Sequence, residues 1–412
     1  MSTLNGIRVV EMGMWLAGPA AGGVLADWGA DVIKVEPLSG DPMRRLYGTI
    51  GGSRETSCPP FDMFNRGKRS VALDVNRPEA GPVVESILAS ADVFLTNMRP
   101  SFLRRIGLDP ESVMARFPSL VYASLTGYGL EGPDRDTQGY DVAAFFARSG
   151  LADRSRGVGT PPPTLAGGLG DVVSGMTMVA GILGALVARG RTGKGQLVST
   201  SLLRNGIYTI GMDVSTRLGL GRLAPLAGRN APPNPLMNSY RASDDLWFWM
   251  IGAESERHWP RLLAALGEPE QLVGGSFDTP RDRRRNSAQL VQLLDEIFVG
   301  RTRDEWVELF VAHDVWWAPV NSVEDLLTDE QVLASGAFLP TTREGSDDGE
   351  VRYTVASPVD FGDHKMHVEE MAPSIGADTD EVLWGVGVSD EALAVLRSNG
   401  VVGARAQSET GQ

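Results

Sequence analysis

Residues 6–36 read GIRVVEMGMWLAGPAAGGVLADWGADVIKVE, and this stretch decides the fold. Two β-type runs, at 6–12 and 31–36, flank a helical run at 19–28. Gly18-Pro19 suits a helix start, because proline at the first helical position gives up no N–H that the helix would use. Strand, helix and strand in succession predict a βαβ unit with two parallel strands.

The same alternation continues through the first 130 residues. Further strands are predicted at 70–75, 92–97 and 120–125, and a helix is predicted at 79–91. The pattern predicts an α/β fold with a doubly wound parallel sheet, in which ligands lie beyond the carboxyl ends of the strands. The turn after the first strand lacks the G-x-G-x-x-G pattern that brings backbone to a pyrophosphate, so no nicotinamide dinucleotide is predicted.

The pattern changes after residue 219. Residues 219–238 are rich in glycine, proline and asparagine, which is typical of a linker. A strand at 246–251 and helices at 287–298 and 302–313 follow, so we predict a smaller domain over residues 226–325. The arginine-rich run at 281–285 is predicted to be a solvated face.

Composition restricts the function classes. The chain has 412 residues, 42% of them hydrophobic and 22% charged, with a net charge of −14. This composition is typical of a globular protein, and the acidic balance argues against nucleic acid or an anionic membrane as a partner. The single cysteine excludes an intramolecular disulfide framework, and residues 1–6 show no secretory signal pattern. We therefore expect a cytoplasmic protein.

A metal site is not predicted. The sequence has no HExxH motif and no paired cysteines, and its four histidines lie at 258, 313, 364 and 367. His364 and His367 lie three residues apart without further ligands nearby, so surface positions are expected.

The segment GGLGDVVSGM at 167–176 contains the most unusual carboxylate of the chain, Asp171, and no further charge follows until Arg189. The local pattern has two interpretations. Asp171 caps the N-terminus of an apolar helix, or it is a catalytic carboxylate shielded from water by apolar neighbours. The two are compatible, since a helix N-terminus favours the ionised form of a carboxylate.

Several segments together resemble the class III CoA-transferases, the family that includes formyl-CoA transferase, carnitine CoA-transferase and α-methylacyl-CoA racemase. Examples are LADWGADVIKVE at 25–36, NRGKRS at 65–70 and TGKGQ at 192–196. The full set occurs in order over nearly the whole chain, at 4–11, 17–19, 25–36, 64–70, 91–97, 127–133, 140–141, 149–150, 167–176, 192–196, 357–359 and 378–383.

The resemblance implies a fold and an assembly. Residues 1–225 and 326–412 would form a large Rossmann-like, CoA-binding domain, and residues 226–325 a small α/β domain. Two chains would be threaded through one another as an interlocked homodimer.

The resemblance also implies chemistry. Asp171 would be the nucleophile that carries acyl and CoA groups through a mixed anhydride and an aspartyl-CoA thioester. Coenzyme A would enter as part of the substrate. The family positions that contact it are Met14, Trp15, Leu16, Ala17, Leu73, Asn76, Asn97, Met98, Phe102, Arg105 and Ile106.

Racemases of the family share the aspartate but pair it with a histidine for acid/base work at the α-carbon. Here that position is Tyr140, and tyrosine, with its usual pKa near ~10, is a poor base for an α-proton. We therefore favour CoA transfer between an acyl-CoA and a carboxylic acid, with racemisation and non-catalytic CoA binding as alternatives. Tyr140 is kept as a candidate catalytic residue. Asp141 either orients the transferred carboxyl group or has a structural hydrogen-bonding role.

Overall fold

A computed structural model describes residues 2–46, 58–341, 352–362 and 371–403. The chain divides into two compact units. Met1–Asp153, Thr164–Gly219 and Gly336–Gln412 form the first, and Arg154–Pro163 with Leu220–Ser335 form the second.

The first unit is built on a sheet of six parallel strands. They are β1 (Arg8–Met12), β2 (Asp31–Glu36), β3 (Arg69–Ala72), β4 (Val93–Thr96), β5 (Val121–Thr126) and β6 (Leu197–Ser201). Their spatial order is β3-β2-β1-β4-β5-β6, and every neighbouring pair is parallel. The chain winds outward from β1 in both directions, so the order reverses between β1 and β4. In such sheets this reversal point opens a crevice for ligands.

Helices lie between and after the strands of this sheet along the chain. They are α1 (Ala17–Asp27), α2 (Pro59–Asn65), α3 (Ala80–Ala89), α4 (Pro100–Arg105), α5 (Pro110–Arg116), α6 (Leu151–Ser155), α7 (Leu169–Thr192), α8 (Leu202–Thr209) and α9 (Gly211–Leu220), with a 3₁₀ turn at Pro42–Arg45 and a π-helical stretch at Asp141–Ala147. Alternate strand residues face opposite sides. Val9 and Leu95 pack with α1 and α7, whereas Val10 and Phe94 pack with α3.

Helix α7 is long and apolar enough to cross a membrane by length and composition. A core helix of a soluble protein passes the same test. Met178, Val179, Ile182 and Ala185 of this helix are buried in the core that includes strand residues of β4 and β5. Part of its apolar surface therefore packs in the core of the first unit.

The end of the chain returns to the first unit. A hairpin of β10 (Phe338–Thr341) and β11 (Arg352–Val355) precedes α16 (Thr379–Gly385) and α17 (Asp390–Ser398). The amide of Ser70 in β3 donates to Asp378 Oδ2 over 2.7 Å, and the amide of Gly403 donates to the carbonyl of Ala72 over 3.1 Å. Residues 376–379 and 401–403 thus cover the free edge of β3.

The second unit contains an antiparallel sheet of β7 (Met237–Arg241), β8 (Trp247–Ile251) and β9 (Trp317–Pro319). Its helices are α10 (Ser255–Ala265), α11 (Pro280–Arg285), α12 (Ser287–Phe298), α13 (Arg303–Ala312), α14 (Val323–Leu326) and α15 (Glu330–Ala334). Buried aromatic rings of Tyr240, Phe248, Phe298 and Phe310 pack edge-on or tilted against one another and form its core.

The mixed α/β fold with a parallel sheet is confirmed, and several elements fall where the sequence predicts them. Strand β2 and helix α12 have the predicted bounds, and β1, β4 and β5 lie within two residues of them. The predicted linker at 219–238 overlaps the first residues of β7. The domain boundaries at 225 and 326 and the interlocked homodimer stay predictions.

Candidate active site

The loop after β1 lies at the point where the strand order reverses. Met12 ends β1 beside Thr96 of β4, so Asn97 follows at the same edge of the sheet. The Asn97 side chain binds both backbone groups of Met14, accepting from its N–H over 3.0 Å and donating to its carbonyl over 2.8 Å. A Cβ added to Gly13 or Gly18 would lie 3.2 or 3.1 Å from this amide. The two glycines thus let the loop close around Asn97.

Asp171 lies in the first turn of α7, as the third helical residue. The N-cap position is Gly168, which has a left-handed backbone with φ 79° and contributes no side-chain cap. The prediction that Asp171 is the N-cap is therefore wrong. Only glycine takes this conformation without steric cost, and the helix begins after it rather than after an acid.

The start of α7 is fixed by contact with the π-helical stretch. A Cβ on Gly170 would lie 2.6–2.8 Å from atoms of Phe145. Gly170 therefore allows helix and aromatic ring to pack in direct contact, which places the neighbouring Asp171 against the segment that contains Asp141. Single π-helical turns are frequent at functional sites.

Burial changes the electrostatics of Asp171. Loss of water around the carboxyl group, followed by the negative charge of Asp141, raises the pKa of Asp171 to about 7. A helix N-terminus by itself favours the ionised carboxylate, whereas the pKa of Asp171 is raised by its other surroundings. Burial and a like charge outweigh the helix dipole, whose effect is typically below about 1 kcal/mol.

Asp171 opens onto a cavity of about 240 Å³. The cavity brings together nine of the predicted site residues, which are Asp171, Tyr140, Met14, Trp15, Leu16, Ala17, Asn97, Met98 and Phe102. Asp141 is not part of its lining. One oxygen of Asp141 is buried without a hydrogen-bond partner, and the other accepts from the Val142 amide over 2.7 Å.

A second cavity of about 210 Å³ contains Leu73 and Asn76 of the predicted set and shares Met14, Met98 and Phe102 with the first. Arg105 lies beside the second cavity. Its guanidinium donates to Asn76 Oδ1 over 3.0 Å and lies 5.1 Å from the Phe102 ring, and both residues line that cavity. Ile106 is not brought to either cavity, and it packs in the core on the α3 side of the sheet.

The first cavity also has lining residues that the sequence did not single out, namely Arg99, Pro100, Leu125, Thr126, Gly127, Arg135, Thr137, Gln138, Gly139 and Leu202. Thr126 ends β5 and Arg99 follows β4 by three residues. Their positions at or just after the carboxyl ends of strands could have marked them as site residues in the sequence, since ligands of such sheets bind there.

Among the described residues no cluster of three or more potential metal ligands is present. His364 and His367 lie outside the described residues. The prediction of a site without metal stays a prediction.

Three kinds of similarity bear on this site. Residues 4–379 match the model of CoA-transferase family III. The chain is 33% identical over 407 residues to a cinnamoyl-CoA:phenyllactate CoA-transferase of Clostridium sporogenes, with 96% of each chain covered. It is 31% identical over 400 residues to a (R)-2-hydroxy-4-methylpentanoate CoA-transferase of Clostridioides difficile, covering 97% of this chain and 99% of that one. A crystal structure of a CAIB/BAIF family protein from Brucella suis superposes with a TM-score of 0.81 at 29% identity, over 93% of this chain and 99% of that chain.

Proposed function

The chain belongs to family III of the CoA-transferases and is an enzyme of that class, and from this premise we propose that it moves CoA between an acyl-CoA thioester and a 2-hydroxy acid with a bulky apolar side chain. Two relatives are named for such acids, phenyllactate and 2-hydroxy-4-methylpentanoate. The first cavity supports the same class, since Met14, Trp15 and Leu16 line it.

The proposal gives Asp171 the role of nucleophile. A carboxylate oxygen of Asp171 attacks the carbonyl carbon of the donor thioester, the C–S bond breaks, and CoA leaves as a thiolate. The thiolate then attacks the aspartyl carbon of the mixed anhydride, which forms an aspartyl-CoA thioester and releases the donor acid as a carboxylate.

The acceptor acid completes the exchange by the same two steps in reverse. Its carboxylate attacks the aspartyl carbon and expels CoA thiolate, and this thiolate attacks the acceptor carbon of the new anhydride. The product acyl-CoA leaves, and the Asp171 carboxylate is regenerated. Thioester and anhydride are both activated acyl groups, so the exchange needs no other energy source.

One observation carries this assignment, namely that Asp171 is a largely buried carboxylate opening onto the cavity, with its pKa raised to about 7. Burial keeps water from an anhydride that it would hydrolyse, and it makes the ionised carboxylate a poorly solvated nucleophile. For Asp141 we propose a contribution through its charge and its unpartnered oxygen, and for Tyr140 a contact with the substrate.

We place the nucleotide end of CoA at the second cavity and its arm along Met14, Met98 and Phe102, which both cavities share. The Arg105 guanidinium beside this cavity suits a phosphate, because its donors match phosphate oxygens in pairs. Leu73, Asn76 and Asn97 complete this proposed contact set, together with Ala17 at the start of α1.

The experiment that tests the nucleophile follows oxygen atoms. An acceptor acid with both carboxyl oxygens replaced by oxygen-18 leaves one heavy oxygen on Asp171 for each completed exchange. We expect mass spectrometry to find this label on the Asp171 peptide, and Asp171→Asn to show neither label nor CoA exchange.

Two results would reject the mechanism: label that never enters Asp171 during exchange, or full exchange by Asp171→Asn. A racemase would instead remove deuterium from the α-carbon of a 2-methylacyl-CoA without any acid exchange. A non-catalytic CoA-binding protein would bind CoA and give neither signal.

A homodimer and a cytoplasmic location complete the proposal. Support for the homodimer comes from α8 and α9, where Tyr208, Met212 and Leu218 are 87%, 88% and 81% exposed. Exposed apolar patches of this kind mark protein interfaces. Support for the cytoplasm is the single cysteine, which fits a reducing compartment.

A further inference from the structure

Trp15 has a backbone conformation that large side chains rarely adopt. Its φ is 63°, in the left-handed region. In the described part of the chain only three other non-glycine residues have a positive φ, and all three are acids, Asp245, Glu268 and Asp314. Strained residues of this kind persist where the surrounding structure imposes them, and they cluster at functional sites.

Buried charges hold this conformation. The Trp15 amide donates to Asp41 Oδ1 over 3.1 Å, and Asp41 is fully buried. The other Asp41 oxygen pairs with Lys34 Nζ at 2.9 Å, and Lys34 also donates to the Gly13 carbonyl over 3.0 Å. Lys34 is itself buried and pairs with Glu11. The loop geometry is thus set from the protein side, so the indole is placed before any ligand arrives.

The result of this geometry is an indole in the wall of the Asp171 cavity. Trp15 remains 37% exposed, and its ring lies edge-on to Tyr140, with centroids 6.5 Å apart and planes at 71°. Met14 and Leu16 extend the same wall. Asp171 lines the same cavity, so the exposed indole and the carboxyl group face a common space.

We propose that Trp15 is a specificity-determining residue whose indole, with Tyr140, contacts the apolar side chain of the acid and favours bulky side chains over small ones. The identity of the acids rests on the function proposed above. The proposed contact between Trp15 and an apolar acyl group does not depend on which acids the enzyme uses.

The first test compares acceptor acids in Trp15→Phe and Trp15→Gly, because glycine accepts the left-handed backbone and phenylalanine keeps a ring. We expect kcat/KM for phenyllactate to fall about 10- to 100-fold in Trp15→Gly and less in Trp15→Phe, as for loss of an apolar contact. The value for lactate should change less than about threefold, since its methyl group offers little apolar surface for the indole to contact.

Glu268→Gly provides the matched control. It exchanges another left-handed residue, with φ 54°, for glycine in the second compact unit. We expect it to leave the ratio of phenyllactate to lactate unchanged. An unchanged ratio in Trp15→Gly would overturn the proposal.

A second test separates this proposal from the identity of the acids. In an Asp171→Ala background, which stops covalent chemistry, we expect 3-phenylpropionyl-CoA to bind more tightly than acetyl-CoA, and Trp15→Gly to reduce that ratio of Kd values at least about tenfold. A wild-type enzyme that rejects all 2-hydroxy acids would refute the acid class alone. Equal Kd ratios with and without Trp15 would refute the role of Trp15, whichever acids are turned over.

Discussion

Asp171 combines two properties that oppose each other, since its proposed reaction needs the ionised carboxylate while its surroundings favour the neutral one. Burial and Asp141 both raise its pKa, to about 7. A carboxylate that is hard to ionise is also a stronger nucleophile once it is ionised, because poor solvation leaves its charge available. This setting links activity and stability to pH.

The activity should follow the ionisation of Asp171. We expect kcat/KM to rise with pH through about 7 and to level off above it. Asp141→Asn keeps an oxygen that can accept from the Val142 amide but removes the negative charge, so the rise should move to lower pH by roughly one unit. Initial rates between pH 5 and 9 measure this, and a rise that stays in place in Asp141→Asn would contradict the coupling.

Stability should depend on the same group. The folded-state pKa of Asp171 is raised above its unfolded value, so folding favours the protonated form, and stability falls between about pH 4 and 7 as the group ionises. Asp171→Asn cannot ionise. The unfolding free energy of Asp171→Asn minus that of the unmodified protein should therefore be about 2 kcal/mol larger at pH 8 than at pH 5.

Urea unfolding of both proteins at the two pH values measures this gain. Asp136→Asn is a control, because the pKa of Asp136 is lowered rather than raised, by hydrogen bonds from Ser101. If Asp171→Asn raises the unfolding free energy by the same amount at both pH values, then ionisation of the buried Asp171 does not reduce stability.

Two residues show what the sequence could not reveal at this scale. Arg283 lies in the arginine-rich run predicted to be a solvated face, yet it is 1% exposed and donates to the Phe277 carbonyl over 2.7 Å. Asp41 accepts a hydrogen bond from the Trp15 amide, and the sequence does not predict that role. Both roles depend on contacts with distant or irregular backbone, and charge patterns do not encode these.

At the scale of elements, the start of α7 determines where Asp171 lies. Gly170→Ala adds a Cβ that meets Phe145 at 2.6–2.8 Å, so the helix turn or the ring must move. We expect a loss of about 1–3 kcal/mol in stability, as for overpacked cores. We also expect a large loss of kcat, because the shift moves the carboxylate relative to the cavity.

Gly184→Ala is the matched control in the same helix. A Cβ at Gly184 meets nothing within 4 Å, and alanine within a helix is favoured over glycine by about 0.5–1 kcal/mol. Thermal unfolding and kcat of both variants test the comparison. A Gly170→Ala variant as active and stable as Gly184→Ala would show that the contact with Phe145 does not fix the helix.

The elements predicted from the sequence share one property, namely apolar side chains that pack in a core. Strand β2 has five buried residues of six, and α12 buries Leu290, Val291, Leu294 and Phe298. The sequence does not predict helix α9, which has no buried residue. Its apolar side chains face away from the chain's own core, so its pattern carried no signal of a core-facing helix.

The candidate site could likewise be predicted where its residues follow regular strands. The strand ends of β1 and β4 were visible in the sequence, and residues after them, Met14 and Asn97, do lie together. Arg135, Thr137 and Gln138 lie in the irregular segment after β5, where no periodicity marks which side chains face the cavity. The family resemblance identified Asp171, whereas local sequence favoured a helix cap.

At the scale of the molecule, the C-terminal segment supports the second cavity. The Asp74 amide donates to the Val401 carbonyl over 2.8 Å, next to Leu73, and both Leu73 and Asp74 line that cavity. Deleting residues 401–412 removes this bond, the one between Gly403 and Ala72, and the buried side chains of Val401 and Val402. We expect the melting temperature to fall and CoA to bind about tenfold more weakly, because the Leu73–Asp74 segment loses its support.

Deletion of residues 404–412 alone is the control, since both bonds remain. Calorimetric titration with CoA measures the effect. Equal Kd values for the two deletions would show that the segment does not support the binding loop.

The proposed homodimer predicts the oligomeric state in solution. Met212→Glu with Leu218→Glu places two charges on the exposed apolar residues of α9. We expect light scattering to show a dimer for the unmodified protein and monomer or aggregate for this variant. Val395→Glu, at a 57% exposed position on α17, should remain dimeric. A monomeric unmodified protein would refute the homodimer.

The cover over the edge of β3 has a consequence for how the protein is made. Asp378 follows Ser70 by 308 residues, so the ribosome exposes β3 long before the segment that protects it exists. At about 5–20 residues per second, the edge stays open for roughly 15–60 s. An open strand edge is a template for pairing with other chains. We therefore expect the yield of the protein in a cell to depend on chaperone capacity as well as on the stability of the finished enzyme.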